Sequence, residues 1–314
     1  MLGFKVEQFD GIQESDFLAF QEHKWSSNRF NLERMKCRAR LDALGSEWLE
    51  GLGEAAASLV QRTTLDHPHI FNGKKVEFCW TFLDRPTEEK ERLGLFLDKD
   101  RSLQEKVGDP IPEHHLAVLG FGLNAHEASL FFRIHSHALL DKRNFLARVS
   151  DPLERPTFSS LMSKLSENFV IRFGEEVLED AASSDGMDRF IEKLKQLDGW
   201  FTVEYVLPKD SPILTSPELV EWLKEHTPPL LSLWHFAVWS TDNDRLQLAR
   251  KIKLEKKTQA KRMSGFQKGD SVRITGGLLA GKDGSVLDVN AKGRVKVQIG
   301  RMSIDMDPKL LKKG

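Results

Sequence analysis

The chain has 314 residues, 46 Lys plus Arg against 47 Asp plus Glu, and is 40% hydrophobic and 30% charged. That balance excludes a disordered or fibrous chain, and no apolar run approaches the ~20 residues a spanning helix needs. Two cysteines, Cys37 and Cys79, cannot build the disulfide framework of a small secreted scaffold, and residues 1–7 have no signal-peptide layout, so a cytoplasmic protein of two or three domains is expected.

Residues 12–62 read as helical. Met35, Leu41, Leu44, Trp48, Leu52, Ala55 and Leu59 recur at three- and four-residue steps, with Gly45, Gly51 and Gly53 as interruptions. Residues 63–75 read as a loop. Over residues 76–82, Val76, Phe78, Trp80 and Phe82 alternate with Glu77, Cys79 and Thr81, the pattern of a half-buried strand. Residues 86–114 carry Pro86, Pro110 and Pro112 and hold a short helix and a long connection. Strands at 116–123 and 129–136 flank a hairpin turn at 124–127, and a helix runs from about Leu139 to before Pro152. Helices near 157–167 and 186–197 each lead into a strand, with Phe169, Ile171 and Phe173 and then Phe201, Val203 and Tyr205 on the apolar faces. Ser216-Pro217-Glu218 is a helix start, and residues 230–239 are rich in Leu, Trp and Phe and read as core. The expected fold is α+β, with helices on a mainly antiparallel sheet over residues 1–242 and a subdivision considered near 151–156.

The histidines cluster as His67 and His69, His114-His115, and His135 and His137. On a strand, Arg133, His135 and His137 share one face, opposite Leu130, Phe132 and Ile134. If the 76–82 strand joins the same sheet, Glu77 and Cys79 extend that polar face. His135, His137 and Cys79 are therefore the candidates for a metal ion or for a nucleophile with its base. No His-Glu-x-x-His, paired Cys-x-x-Cys, Walker loop or Gly-x-Ser-x-Gly occurs. No catalytic residue and no cofactor is assigned from the sequence.

The charge is unevenly distributed. Residues 250–314 hold 17 Lys or Arg and 6 Asp or Glu, while residues 1–249 hold 29 against 41. Such a split points to a polyanion-facing end, or to attraction between the acidic and basic parts within the molecule. Residues 243–265 read as a basic helical linker whose Lys251, Lys253, Lys256 and Lys257 offer phosphate contacts. From Phe266 short strands alternate with turns. Val272 and Ile274 flank Arg273, Val286, Leu287 and Val289 follow a glycine-rich loop, and Arg294-Val295-Lys296-Val297 alternates polar with apolar. Glycines at the corners suit a small, strongly bent barrel.

Residues 266–314 resemble a KOW domain, the SH3-like barrel of NusG-type transcription factors and of ribosomal large-subunit proteins. The matching residues are Gly269-Asp270, Val272-Arg273-Ile274, Gly276, Ala280-Gly281-Lys282, Gly284, Val286, Val289, Arg294-Val295-Lys296-Val297 and Gly300-Arg301. Gly277-Leu278-Leu279 departs from the NusG-type loop, and the stretch from Ala280 to Gly284 is closer to the ribosomal version. The resemblance implies binding to RNA, the ribosome or transcription machinery, and no catalysis. The contacts expected are Lys268, Arg273, Lys282, Lys292, Arg294, Lys296 and Arg301, with Arg294 and Lys296 on one strand face for phosphate tracking. The function expected is non-enzymatic binding of RNA or a ribonucleoprotein. The alternative is a metal-dependent hydrolase or nuclease in residues 1–242 delivered to nucleic acid by the KOW module.

Overall fold

The computed structural model describes residues 6–97, 111–247, 265–277, 279–290, 293–300 and 302–313. The chain divides into two compact units, Met1–Asn243 and Asp244–Gly314. Among the described residues the architecture is mixed α+β, with seven α-helices and two antiparallel sheets.

The first unit is organised by strands β1 (Val60–Thr63), β2 (Cys79–Asp84), β3 (Val118–Leu123), β4 (Glu127–His135), β5 (Phe169–Phe173), β6 (Glu176–Val177) and β7 (Trp200–Pro208). They form one sheet of order β1-β2-β3-β4-β7-β5-β6, antiparallel at every pairing. The helices are α1 (Glu14–Leu18), α2 (Asn31–Leu52), α3 (Thr87–Leu97), α4 (Leu139–Ser150), α5 (Arg155–Met162), α6 (Ser184–Lys195) and α7 (Leu219–Ala237).

Strand side chains alternate between two faces. One face carries Cys79, Leu83, Leu119, Phe121, Phe132, Ile134, Phe201 and Val203 into the main core with Trp48 of α2, Phe145 of α4, Phe190 of α6 and Leu223 of α7. The other face carries a smaller apolar cluster of Trp80, Phe82, Val118 and Phe131, against which Trp200 packs. One core runs through the whole unit, across residues 151–156.

Two segments differ from the sequence reading. The helix ends at Gly53, whose φ of +55° favours glycine, and Val60–Thr63 is an edge strand. Four residues are too few to display a period of two, and what holds them is the pairing of Val60 with Asp84 and Thr63 with Thr81. The second strand begins at Cys79, and both its faces are buried. Cys79 and Thr81 therefore do not form a wet face. Thr81 lies under α2, where a Cβ on Gly45 would come within 2.0 Å of its hydroxyl, so only glycine permits that approach of helix to sheet.

A single carboxylate ties distant segments together. Asp141 of α4, wholly buried, accepts from both terminal nitrogens of Arg85 (3.1 and 2.5 Å), from the Ala117 N–H (2.9 Å) and from the Trp239 N–H (3.0 Å). It thereby joins the end of β2, the entry to β3 and the exit of α7. Pro228 and Pro229 lie inside α7. There the Thr227 hydroxyl donates to the Leu223 carbonyl (2.5 Å) and accepts from Trp48 Nε1 (3.0 Å), which anchors the helix to α2 at the interruption.

The second unit contains β8 (Ser271–Ile274), β9 (Asp283–Val289), β10 (Val295–Ile299), β11 (Met302–Met306) and β12 (Leu311–Lys313), in the order β11-β10-β9-β8-β12. Its own core holds Phe266, Val272, Ile274, Val286, Val289, Val295, Val297, Met306 and Leu311. Val272 and Ile274 of β8 and Val295 and Val297 of β10 point inward in the expected alternation, whereas Val286 and Val289 of β9 are three apart, across a shift in the register with β10. Among the described residues β11 and β12 are the two edges of an antiparallel sheet that is not closed into a barrel.

Candidate functional site

A groove of about 780 Å³ lies at the β1–β2 side of the first unit's sheet. Trp80, Phe82, Val118 and Trp200 line it on the small-cluster face, and Phe71, Phe78, Pro112 and His114 on the connecting segments. The Phe78 and Trp80 rings are parallel, 4.3 Å apart at 12°, while Trp80 meets Trp200 edge to face at 6.0 Å. Phe78 is 40% exposed and Phe71 43%, so the groove presents two phenylalanine rings to solvent.

The charged end of the groove is built around Asp84, the last residue of β2. Its buried carboxylate faces two cations, Arg62 Nε at 3.2 Å and Lys90 Nζ of α3. Arg62 reaches it from the neighbouring strand, where it pairs with Phe82, and also donates to the Thr87 hydroxyl at 3.0 Å. Burial, reinforced by Arg62, lowers the Lys90 amine to about 8. Burial likewise raises the carboxyl of Glu113, against the opposing pull of the Lys90 charge. Two cations, Arg62 and Lys90, thus converge on the Asp84 carboxylate, with Glu113 also lining this end of the groove. At the far end Arg38 and Asp42 stand 3.9 Å apart, as do Lys75 and Glu77, and leave no excess charge. Of these groove residues, Trp80 and Phe82 are legible in the sequence only as strand core. Arg62 sits in a segment that reads as helix, and Asp84, Lys90 and Glu113 are separated in sequence and meet only through the fold.

Beside the groove the structure gathers His114, His135 and His137, whose ring nitrogens lie within 4.8 Å of one another. Arg133 and His135 do share a sheet face, as expected, and Trp200 is the cross-strand partner of His135. His137 lies beyond the strand end. Cys79 does not join them: it occupies the opposite face, buried in the main core beside Cys37, with the Thr64 hydroxyl donating to its sulfur at 3.6 Å. The parity of β2 overturns Cys79 as a partner of these histidines. His114, which the sequence groups with His115 rather than with the metal candidates, takes its place.

The histidine arrangement does not fit a zinc centre. Bonds of ~2.0–2.1 Å to a tetrahedral ion bring ligand nitrogens to about 3.4 Å from one another, each with the ion in its ring plane. The His114 and His135 rings instead stack face to face, 4.0 Å apart at 17°. His135 Nδ1 also accepts from the His137 backbone N–H at 3.2 Å, which puts the proton of the neutral ring on Nε2. The rings pack edge-on against Trp200 at 4.8 Å (His135) and 5.2 Å (His114), as members of an aromatic cluster.

The expected cationic contacts fall in different environments. Lys251, Lys253, Lys256, Lys257, Lys292 and Arg301 lie outside the described residues. Lys268, Lys282 and Arg294 are exposed and form no ion pair among the described residues. Lys282 precedes β9 and Arg294 follows the turn after it, so they flank a seven-residue strand from opposite ends. Arg273 lies 3.4 Å from Asp283. Lys296 stands in register between Asp288 on β9 and Asp305 on β11. The strand face expected to track phosphate therefore alternates in sign. Compared with known proteins, the chain matches no family model and no curated protein sequence.

Proposed function

We propose that the chain is a non-enzymatic RNA- or ribonucleoprotein-binding protein, held to its partner by the cations of its C-terminal part. The reading treats residues 266–314 as an SH3-like, KOW-type module. The observation that carries it is an excess of ten Lys or Arg over five Asp within residues 265–314, with Lys268, Lys282 and Arg294 exposed and clear of the chain's own described carboxylates. Such side chains gain free energy by displacing counterions from a phosphate backbone. Arg273 and Lys296, each beside an aspartate, contribute less than their sequence positions suggest. Exposed aromatic rings are absent from the described part of this unit, so the recognition proposed is of backbone and shape. The metal-hydrolase alternative gains nothing from the histidine cluster, whose stacked rings suit packing better than coordination.

Fluorescence anisotropy with labelled single-stranded and duplex RNA tests the reading, using the full chain and a Lys268→Glu/Lys282→Glu/Arg294→Glu variant. Removing one cation–phosphate pairing reduces the slope of log affinity against log salt by roughly 0.7 on a single strand. The triple variant should show a slope smaller by about two units and an affinity more than tenfold weaker at low salt. No RNA binding by the unaltered chain, or equal binding by both, would remove the proposal.

A further inference from the structure

We propose that the groove of the first unit is a binding site for a nucleoside phosphate, its planar ring lying against the Phe78–Trp80–Trp200 wall and its phosphate between Arg62 and Lys90. This inference stands apart from the RNA reading of the second unit and uses none of its residues.

Three observations carry it. The groove, at about 780 Å³, is within the range of sites that enclose a small organic ligand. Its wall is aromatic where it is most accessible: Phe78 lies parallel to Trp80 and stays 40% exposed, the disposition of a ring that stacks on a further planar group. Its opposite end carries the converging cations Arg62 and Lys90, which share the buried Asp84. Trp80, Phe82 and Asp84 are alternate residues on one strand face, so the aromatic wall and the cationic end are four residues apart along β2, roughly 13 Å. That span accommodates a base, a sugar and a phosphate in line. A purely apolar ligand would cover Arg62 and Lys90, together with Asp84 and Glu113, without offering them any polar partner. A simple inorganic anion would make no use of the aromatic wall.

The ring and phosphate could belong to a free nucleotide or to one nucleotide of an RNA strand, and the experiment separates these. The full chain is titrated by calorimetry with adenosine 5′-monophosphate, with adenosine and with a single-stranded oligoadenylate. The same titrations are made on Phe78→Ala, on Lys90→Gln and on the triple charge reversal in the second unit. Near-ultraviolet circular dichroism checks that each variant is folded. Saturable binding of the monophosphate is expected, at least tenfold tighter than that of adenosine. It should weaken roughly tenfold in Phe78→Ala, which removes one stacking ring, and at least as much in Lys90→Gln. The triple reversal should leave it unchanged. Oligoadenylate binding that also falls in Phe78→Ala supports the site with a strand nucleotide as its source, and oligoadenylate binding indifferent to Phe78 alongside monophosphate binding supports it with a free nucleotide. The proposal is overturned by absence of saturable binding of both phosphate-bearing probes at millimolar concentration, by equal affinity for monophosphate and adenosine, or by binding that survives both groove substitutions.

Discussion

Replacement of Asp141 by alanine is the most demanding test of how the first unit is held together. The carboxylate satisfies four donors at once: two on Arg85 and the backbone N–H groups of Ala117 and Trp239. Breaking a buried ion pair from one side costs ~3–5 kcal/mol because the remaining charge stays desolvated. Each backbone N–H left without an acceptor adds on the order of 1–3 kcal/mol. These terms overlap, since water entering the vacated space serves several donors. Arg85 also keeps Glu89 at 3.6 Å, a partly exposed partner that offsets a little of the loss. The expected destabilisation is about 5 kcal/mol, a large fraction of the ~5–15 kcal/mol typical of a whole domain. All seven tryptophans precede residue 244, so urea unfolding followed by indole emission reports the first unit alone. The double variant Arg85→Met/Asp141→Leu removes both charges together and should recover part of the loss. A single variant within about 1 kcal/mol of the parent, or a double variant less stable than the single, would show that the pair does not carry the weight assigned to it.

Three further outcomes are expected. Burial pushes the Cys37 thiol well up, and both thiols are buried, so the folded protein should resist a thiol-specific disulfide reagent at pH 8 and yield two equivalents in denaturant; rapid labelling of the native protein would contradict this. Zinc dialysed against the full chain should not bind in stoichiometric amount, and one ion retained by the parent but absent from His114→Ala/His135→Ala would restore a metal site. Lys90 is charged below about 8 and neutral above it, in a pocket it shares with Arg62, Asp84 and Glu113. Monophosphate affinity should therefore fall as pH rises through 8, and calorimetry of Lys90→Gln should find that step gone; the same step in both proteins would assign it to another group.

How much of this was legible depended on strand length and on what each face touches. The hairpin around Asn124 was readable because that side chain accepts from the His126 and Glu127 amides, a local device written in adjacent residues. Strands β5 and β7 were readable because one face meets the core and the other carries Arg172, Thr202 and Glu204. Strand β2 misled, because two apolar clusters sandwich it and alternation loses its meaning when both faces are buried. The groove was illegible: Arg62, Asp84, Lys90 and Trp200 converge through sheet order, which no local pattern encodes. His135 was found through its place beside Arg133, whereas His114 required knowledge of which segment folds over the strand end. In the second unit alternation located Val272, Val295 and Val297, but the aspartates flanking Lys296 come from two neighbouring strands and needed the register.

The open ladder of the second unit has a bearing on self-association. Unpaired backbone groups along an outer strand invite another copy to add on. Here one border is Leu311-Lys312-Lys313, a three-residue strand bearing two exposed lysines. A second copy docking its own β12 against this edge would have to bring like charges together over a very short seam. The other border, β11, carries Asp305 and no lysine, so this charge guard belongs to the β12 edge alone.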